Sequence, residues 1–213
     1  IDEARRIFER IINYIVYRVA MTLDIMFVVV LGTIFFGFSP LTPVMIILLA
    51  LMDDVPIMTI AYDNTLLPKQ PVRWNMRLLL LVSSLMGLLS VAQSFGLLLV
   101  GMEWLSNPDW QSWIKLTQDQ IQTAVFLQLV AGGHLLLFVV RSRGPFFCRP
   151  WPASSLFLAL VGTQILAVLV CGFGWFVTAI PWVIIALVWA YLIVWMLVLD
   201  GVKLVLYRRL AHG

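Results

Sequence analysis

Residues 21–56 read MTLDIMFVVVLGTIFFGFSPLTPVMIILLALMDDVP, and their pattern decides the architecture. Apolar residues fill both arms of the stretch, and GFSPLTP divides them, placing Gly37, Pro40 and Pro43 together with no charge. Glycine and proline at that density end one helix and start the next, so the stretch predicts two apolar helices joined by a tight hairpin. A bilayer core takes about 20 apolar helical residues to cross. Extended outward, the arms become spans at roughly 15–37 and 41–62. Four further stretches qualify, at 77–101, 121–140, 155–175 and 181–206. The expected fold is all-α, a polytopic membrane bundle of six transmembrane helices with the lipid bilayer as its first partner.

Composition agrees, because 62% of the 213 residues are hydrophobic and 12% charged, where a soluble domain carries about 25% charged residues. The net charge of +3 and the pI of about 9.1 do not imply a nucleic-acid partner. The basic residues sit singly or in pairs between apolar runs and form no stripe. Cys148 and Cys171 have no His or carboxylate cluster near them in sequence, which argues against both a disulfide framework and a zinc site. Residues 2–19, DEARRIFERIINYIVYRV, are charged and helical in pattern and lack the apolar core of a signal peptide. Residues 1–14 are read as a stalk that projects into water from the first span, and 207–213 as a short tail. The start at Ile1 rather than Met suggests part of a longer chain.

Lys and Arg accumulate in short loops on the cytoplasmic side of a membrane. Arg5, Arg6, Arg10 and Arg18 precede or enter the first span; Lys69, Arg73 and Arg77 lie around the turn between the second and third. Arg141, Arg143 and Arg149 follow the fourth, and Lys203, Arg208 and Arg209 close the sixth. Of the 14 basic residues only Lys115 falls on the other side, beside Glu103, Asp109, Asp119 and the interfacial anchors Trp104, Trp110 and Trp113. Both termini are therefore expected to be cytoplasmic.

A charged side chain near the centre of a membrane helix costs at least about 2.5–3.5 kcal/mol on insertion scales. Asp24, Asp53 and Asp54 need an explanation on that ground. Asp24 lies 13 residues before Gly37 and Asp54 13 residues after Leu41, each roughly 20 Å of helix from the hairpin. The reading is that the hairpin brings these acids to one level as an ion-binding group. Asn13, Tyr17 and Asp24 share a face of the first helix and lead a polar stripe toward it. Pro56 cannot donate to the carbonyl of Met52 and is expected to open the second helix beside the acids, where freed carbonyls can coordinate ions. His134 and Gln128 in the fourth span are secondary candidates, more in keeping with interhelical contacts, as is Gln164 in the fifth. Asp200 and Lys203 are read as an i,i+3 pair with a snorkelling lysine. Trp182, Trp189, Tyr191 and Trp195 are read as lipid-facing or packed surface.

Several stretches resemble one family. RRIFERIINYIVYRVAMTL (5–23) is similar to the stalk and fifth membrane helix of plasma-membrane proton pumps of the P-type ATPase family, and MIILLALMDDVPIMTIAYDNT (45–65) to their sixth. The likeness continues through FVVRSRGPFFCRP (138–150) and WAYLIVWMLVLDGVKL (189–204), and the Tyr-Asp-Asn ending of the sixth-helix stretch resembles prokaryotic members. The resemblance implies that Asp54 carries the transported proton. Asp53 stands where relatives usually hold Asn, and Asp24 where many hold an Arg that acts as a positive partner, a reversal of sign. It further implies plasma-membrane localisation, and a catalytic half that brings the phosphorylation and nucleotide domains with ATP and Mg²⁺. Fungal and plant members carry an autoinhibitory C-terminal extension, which the few residues after the sixth span do not suggest here.

Neither the family's DKTGT phosphorylation motif nor a GxxxxGK loop occurs in these residues, so no cofactor is expected to bind this chain and it cannot hydrolyse ATP alone. The leading expectation is the C-terminal membrane half of a proton-exporting ATPase. The alternatives are a non-enzymatic membrane segment, acting as passive conduit or packing partner, and a pump for another cation such as Mg²⁺ or Ca²⁺. The topology is testable directly: in a background without Cys148 and Cys171, Ser106→Cys is expected to react with an impermeant thiol reagent from outside the cell and Ser142→Cys only from inside. Reversed accessibility would refute the orientation.

Overall fold

The computed structural model describes residues 2–65, 76–142 and 144–211; Lys69, Arg73 and Arg143, counted above among the loop charges, lie outside them. The helices are α1 (Asp2–Phe36), α2 (Pro43–Thr59), α3 (Met76–Ser106), α4 (Pro108–Trp113), α5 (Gln118–Val140), α6 (Ser154–Phe173) and α7 (Trp182–Ala211), with a 3-10 turn at Ile60–Tyr62. Among the described residues, six helices are long and apolar enough to cross a membrane, all but α4. With 35 residues, α1 is about 52 Å long, well beyond the ~30 Å of a bilayer core. Its charged first turns are the surplus, consistent with a stalk.

The hairpin forms for the reasons its residues suggest. Gly37 takes φ +73° and its N–H returns to the Thr33 carbonyl at 3.0 Å, closing α1. Pro43 then opens α2, with Thr42 as N-cap accepting from the Met45 N–H at 3.3 Å. The turn folds back so tightly on α1 that a Cβ at Gly32 would run into the ring of Pro40. Gln122 on α5 donates to the Ser39 carbonyl at 2.6 Å and ties the hairpin to the centre of the bundle.

Three details differ from expectation. Helix α2 runs through Pro56 without opening and continues to Thr59. The proline withholds a single donor, and buried packing at Met52, Asp53, Pro56 and Ile57 holds the helix together. The change of helical type comes a turn later, at Ile60–Tyr62. The 102–120 loop is in part helical: α3 continues to Ser106, and α4 follows because Asn107 caps it and Pro108 fits its first position. Trp104 stacks against Trp110 and Trp113 at 5.3 and 5.8 Å and donates to the Ile114 carbonyl, which folds this loop onto itself. Lys203 pairs with Asp200 at 2.7 Å, but the lysine does not snorkel. It is buried and donates to the carbonyls of Val139, in the last turn of α5, and of Gly144 beyond it. Those carbonyls lack helical partners, which makes an ammonium a favourable cap there.

Helix α5 is the axis of the bundle. In its most apolar stretch 83% of residues are buried, against 28–39% in the other five spans. It packs against α1, α2, α3, α6 and α7, while α1 and α3 lie along one another. At its far end Arg141 is not a loop anchor; its guanidinium is buried and grips Asp63 with Nε to Oδ2 at 2.9 Å and Nη2 to Oδ1 at 3.2 Å. The same guanidinium donates to the carbonyls of Pro150 and Asn64, and the Ala153 N–H donates to Asp63 Oδ1. Arg10 donates to the Asp63 carbonyl and Asn13 to that of Arg141. One ion pair thereby fixes α1, α2, α5 and the approach to α6.

Removing one partner of a buried pair strands the other charge, at a cost of about 3–5 kcal/mol. Arg141→Met is therefore expected to destabilise the bundle by about that much in reversible detergent unfolding. The Asp63→Leu/Arg141→Met double variant is expected to recover part of the loss. Equal stability of Arg141→Met and the parent would show that the pair does not hold these helices.

Candidate functional site

The side chains singled out in the sequence fall into two buried polar centres and one exposed pair. On α1, Asn13, Tyr17 and Asp24 all lie on the buried side. Asp24, 3% exposed, accepts from the Ser94 hydroxyl of α3 at 3.0 Å, and Ser94 in turn accepts from Gln128 Nε2 of α5 at 2.8 Å. Three helices thus meet at one carboxylate through neutral groups. Among the described residues the second oxygen of Asp24 and Oε1 of Gln128 have no hydrogen-bond partner.

The second centre surrounds Asp53 of α2, 2% exposed. Its Oδ1 lies 3.4 Å from His134 Nε2 of α5, and His134 Nδ1 lies 2.9 Å from Gln164 Nε2 of α6. Tyr17 is fully buried beside it, its hydroxyl over Gly133 and without a hydrogen-bond partner. Gln128 and His134 are six residues apart, which is about 9 Å along α5 and on different faces. Asp24 and Asp53 therefore engage α5 at separate places, although each lies within electrostatic reach of the other. Among the described residues no three His, Cys, Asp or Glu side chains gather closely enough to hold a metal ion.

Asp54 follows Asp53 by one residue and so points about 100° away around α2. Its side chain is half exposed and faces Arg18 of α1 at 3.6 Å. The sequence reading took Arg18 for a boundary charge, and the structure makes it the cation nearest this acid. An exposed pair of this kind contributes little to stability. Its interest is positional, since it puts a positive charge beside Asp54 from a place six residues before Asp24.

The sequence reading also missed Ser94 and understated Gln164. Ser83, Ser90 and Ser94 recur at intervals of seven and four along α3, one face at helical period, and all three are buried. That stripe was the available signal for a polar face turned inward. Gln164 carried no comparable signal, because a lone amide in an apolar run does not reveal which helix it meets. Tyr191, read as surface, is half-buried and donates to the Gln93 carbonyl at 2.6 Å, which ties α7 to α3.

No family model matches the chain. It is 40% identical over 210 residues to a protein of Methanocaldococcus jannaschii named as a cation-transporting ATPase, covering 99% of this chain and 25% of that protein. It is 29% identical over 219 residues to plasma membrane ATPase 2 of Schizosaccharomyces pombe, covering 99% and 21%. With a protein of Leishmania donovani named as a proton ATPase the identity is 28% over 233 residues, covering 94% and 24%. The chain thus spans about a quarter of the length of the curated relatives it matches. Nearly every residue of this chain, built from six membrane-length helices, is thus matched to one part of these longer ATPases.

Proposed function

We propose that this chain supplies the ion-binding and supporting helices of an ATP-driven pump that exports protons across the plasma membrane. The observation that carries the reading is the burial of Asp24 and Asp53 beside Ser94 and His134, with no lysine or arginine among the described residues bonded to either. Carboxylates buried among membrane helices are expensive and mark ion or proton pathways. A carboxylate so placed is neutralised by what it carries.

The proton suits these centres better than a hard metal ion. Ca²⁺ takes six to eight oxygen ligands and Mg²⁺ an octahedral set, whereas each acid here has one or two side-chain partners from different helices. The names of the relatives, which include proton and plasma membrane ATPases, favour the same ion and the same membrane. ATP and Mg²⁺ belong to the phosphorylation and nucleotide domains of the longer relatives.

In this scheme Asp54 is the carrier and Arg18 its counter-charge. The resemblance places a positive residue where this chain has Asp24; Arg18, on the same helix, lies 3.6 Å from Asp54. A guanidinium beside a carboxylate favours its ionised form, so movement of α1 against α2 gives a physical means of expelling a proton from Asp54. The half-exposed face that bears the pair is the one open to helices of the catalytic half. Asp24 and Asp53 lie on the inner side of the same helices, which are joined by the hairpin.

In sealed vesicles containing the complete protein, ATP-dependent acidification is expected to proceed without Ca²⁺ or another transported metal, and Asp54→Asn is expected to abolish it while leaving insertion intact. An amide cannot cycle a proton. Undiminished acidification by Asp54→Asn would remove Asp54 from the role of carrier, and uptake of a radioactive divalent ion in place of acidification would overturn the proton.

A further inference from the structure

The Gln164 amide nitrogen lies 2.9 Å from His134 Nδ1 and 3.4 Å from the carbonyl oxygen of Ala131. A carbonyl oxygen only accepts, so the amide atom facing it has to be the nitrogen, and that same nitrogen donates to Nδ1. A neutral imidazole has one donor and one acceptor. With Nδ1 accepting, the ring hydrogen resides on Nε2, the atom turned toward Asp53 Oδ1 at 3.4 Å. We propose that Gln164 is a positioning residue that fixes His134 as a neutral Nε2–H donor to Asp53, so that the proton handled at this centre resides on the carboxyl group and never on the ring.

The chemistry of the alternative shows why the amide acts as a lock. For His134 to relay a proton, Nε2 would give its hydrogen to Asp53 while a second proton arrived on Nδ1. The new Nδ1–H would then face the N–H of Gln164, donor against donor. Turning the amide end for end would relieve that contact by presenting Oε1 to Nδ1, but it would set Oε1 against the Ala131 carbonyl, acceptor against acceptor. Three helices set these constraints: Gln164 on α6, Ala131 and His134 on α5, and Asp53 on α2. The His134–Asp53 contact is enclosed, since the two side chains are 1% and 3% exposed, and the cavity of about 490 Å³ that His134 and Gln164 line is otherwise apolar.

The other charged or titratable groups that act on Asp53 are Tyr17 and Arg18 from α1, Asp24 from the same helix, and Asp54 from its own. None of them bonds to His134 among the described contacts. The ring's protonation is therefore set from the Gln164 side and its orientation from the Asp53 side. On Asp53 the effect is a fixed donor that does not itself change charge, which leaves a single carboxyl group to switch at this centre.

The inference rests on reading Asp53 as an ion-site carboxylate, and the test separates the two because it needs no transport. With ¹⁵N-labelled histidine in the complete protein in lipid bilayers, the His134 resonances are assigned by their loss in His134→Gln, and the ring nitrogens report the tautomer. The parent protein is expected to show Nε2–H with an unprotonated, hydrogen-bonded Nδ1. Gln164→Glu, measured at a pH where the new carboxylate is ionised and so only accepts, is expected to move hydrogen to Nδ1. Gln164→Leu, which removes the donor with little change in volume, is expected to shift the Nδ1 resonance and serves if Gln164→Glu does not assemble. A parent ring carrying hydrogen on Nδ1, an Nε2–H form that persists in Gln164→Glu, or an Nδ1 resonance unmoved in Gln164→Leu would each overturn the proposal. Loss of proton transport as the ion, with the tautomer as stated, would overturn the functional reading alone.

Discussion

The buried polar side chains Gln128 and His134 of α5, and Arg141 at its end, have to find their partners on neighbouring elements, because α5 is enclosed by five neighbours and has almost no face of its own toward lipid. An unsatisfied polar group costs several kcal/mol in such a place, so Gln128, His134 and Arg141 determine what stands opposite them. Ser94 and Asp24 answer Gln128, Asp53 and Gln164 answer His134, and Asp63 answers Arg141. These contacts fix the rotation of α1, α2, α3 and α6 about α5. Apolar packing sets how close the helices lie, and the polar contacts set which way each one faces.

The architecture was legible in the sequence because the membrane imposes a length and a composition on anything that crosses it. Six apolar runs, divided by charges and by the Gly37–Pro43 hairpin, give six helices with little room for another arrangement. Less legible was local detail that depends on partners. Pro56 suggests a broken helix when read alone, yet α2 continues because its flanking residues are buried against α5 and α6. Helix α4 lies in a polar stretch too short for a periodic signal, and only the Asn107-Pro108 start betrays it.

The site was legible to the extent that charge in an apolar run is conspicuous. Asp24, Asp53 and Asp54 stand out in any reading of the sequence, and so does the stripe of Asn13, Tyr17 and Asp24 on α1. What those acids meet was not legible, since depth along a helix can be counted from the hairpin but rotation between helices cannot. Counting residues placed Asp24 and Asp54 at one depth, and the structure gives them different faces and different partners, Ser94 and Arg18. Arg18 and Arg141 show the same limit from the other sign: both look like boundary charges, and one reaches Asp54 while the other is sealed inside with Asp63.

The adjacency of Asp53 and Asp54 gains its meaning from that geometry. Two acids in sequence on a helix cannot share one environment, since about 100° separates them. Here the first is turned into the bundle, where His134 stands 3.4 Å away, and the second outward, where Arg18 offers a charge on a long and partly exposed arm. The inner contact is rigid and neutral; the outer one is flexible and charged. A helix that shifts or turns by a small amount changes the outer pair far more than the inner, because the guanidinium can swing away while the imidazole is held by Gln164 from behind. An acid whose partner can leave is suited to taking up and giving off an ion as the charge beside it comes and goes, and an acid whose partner is held in place is suited to changing protonation on its own carboxyl group alone.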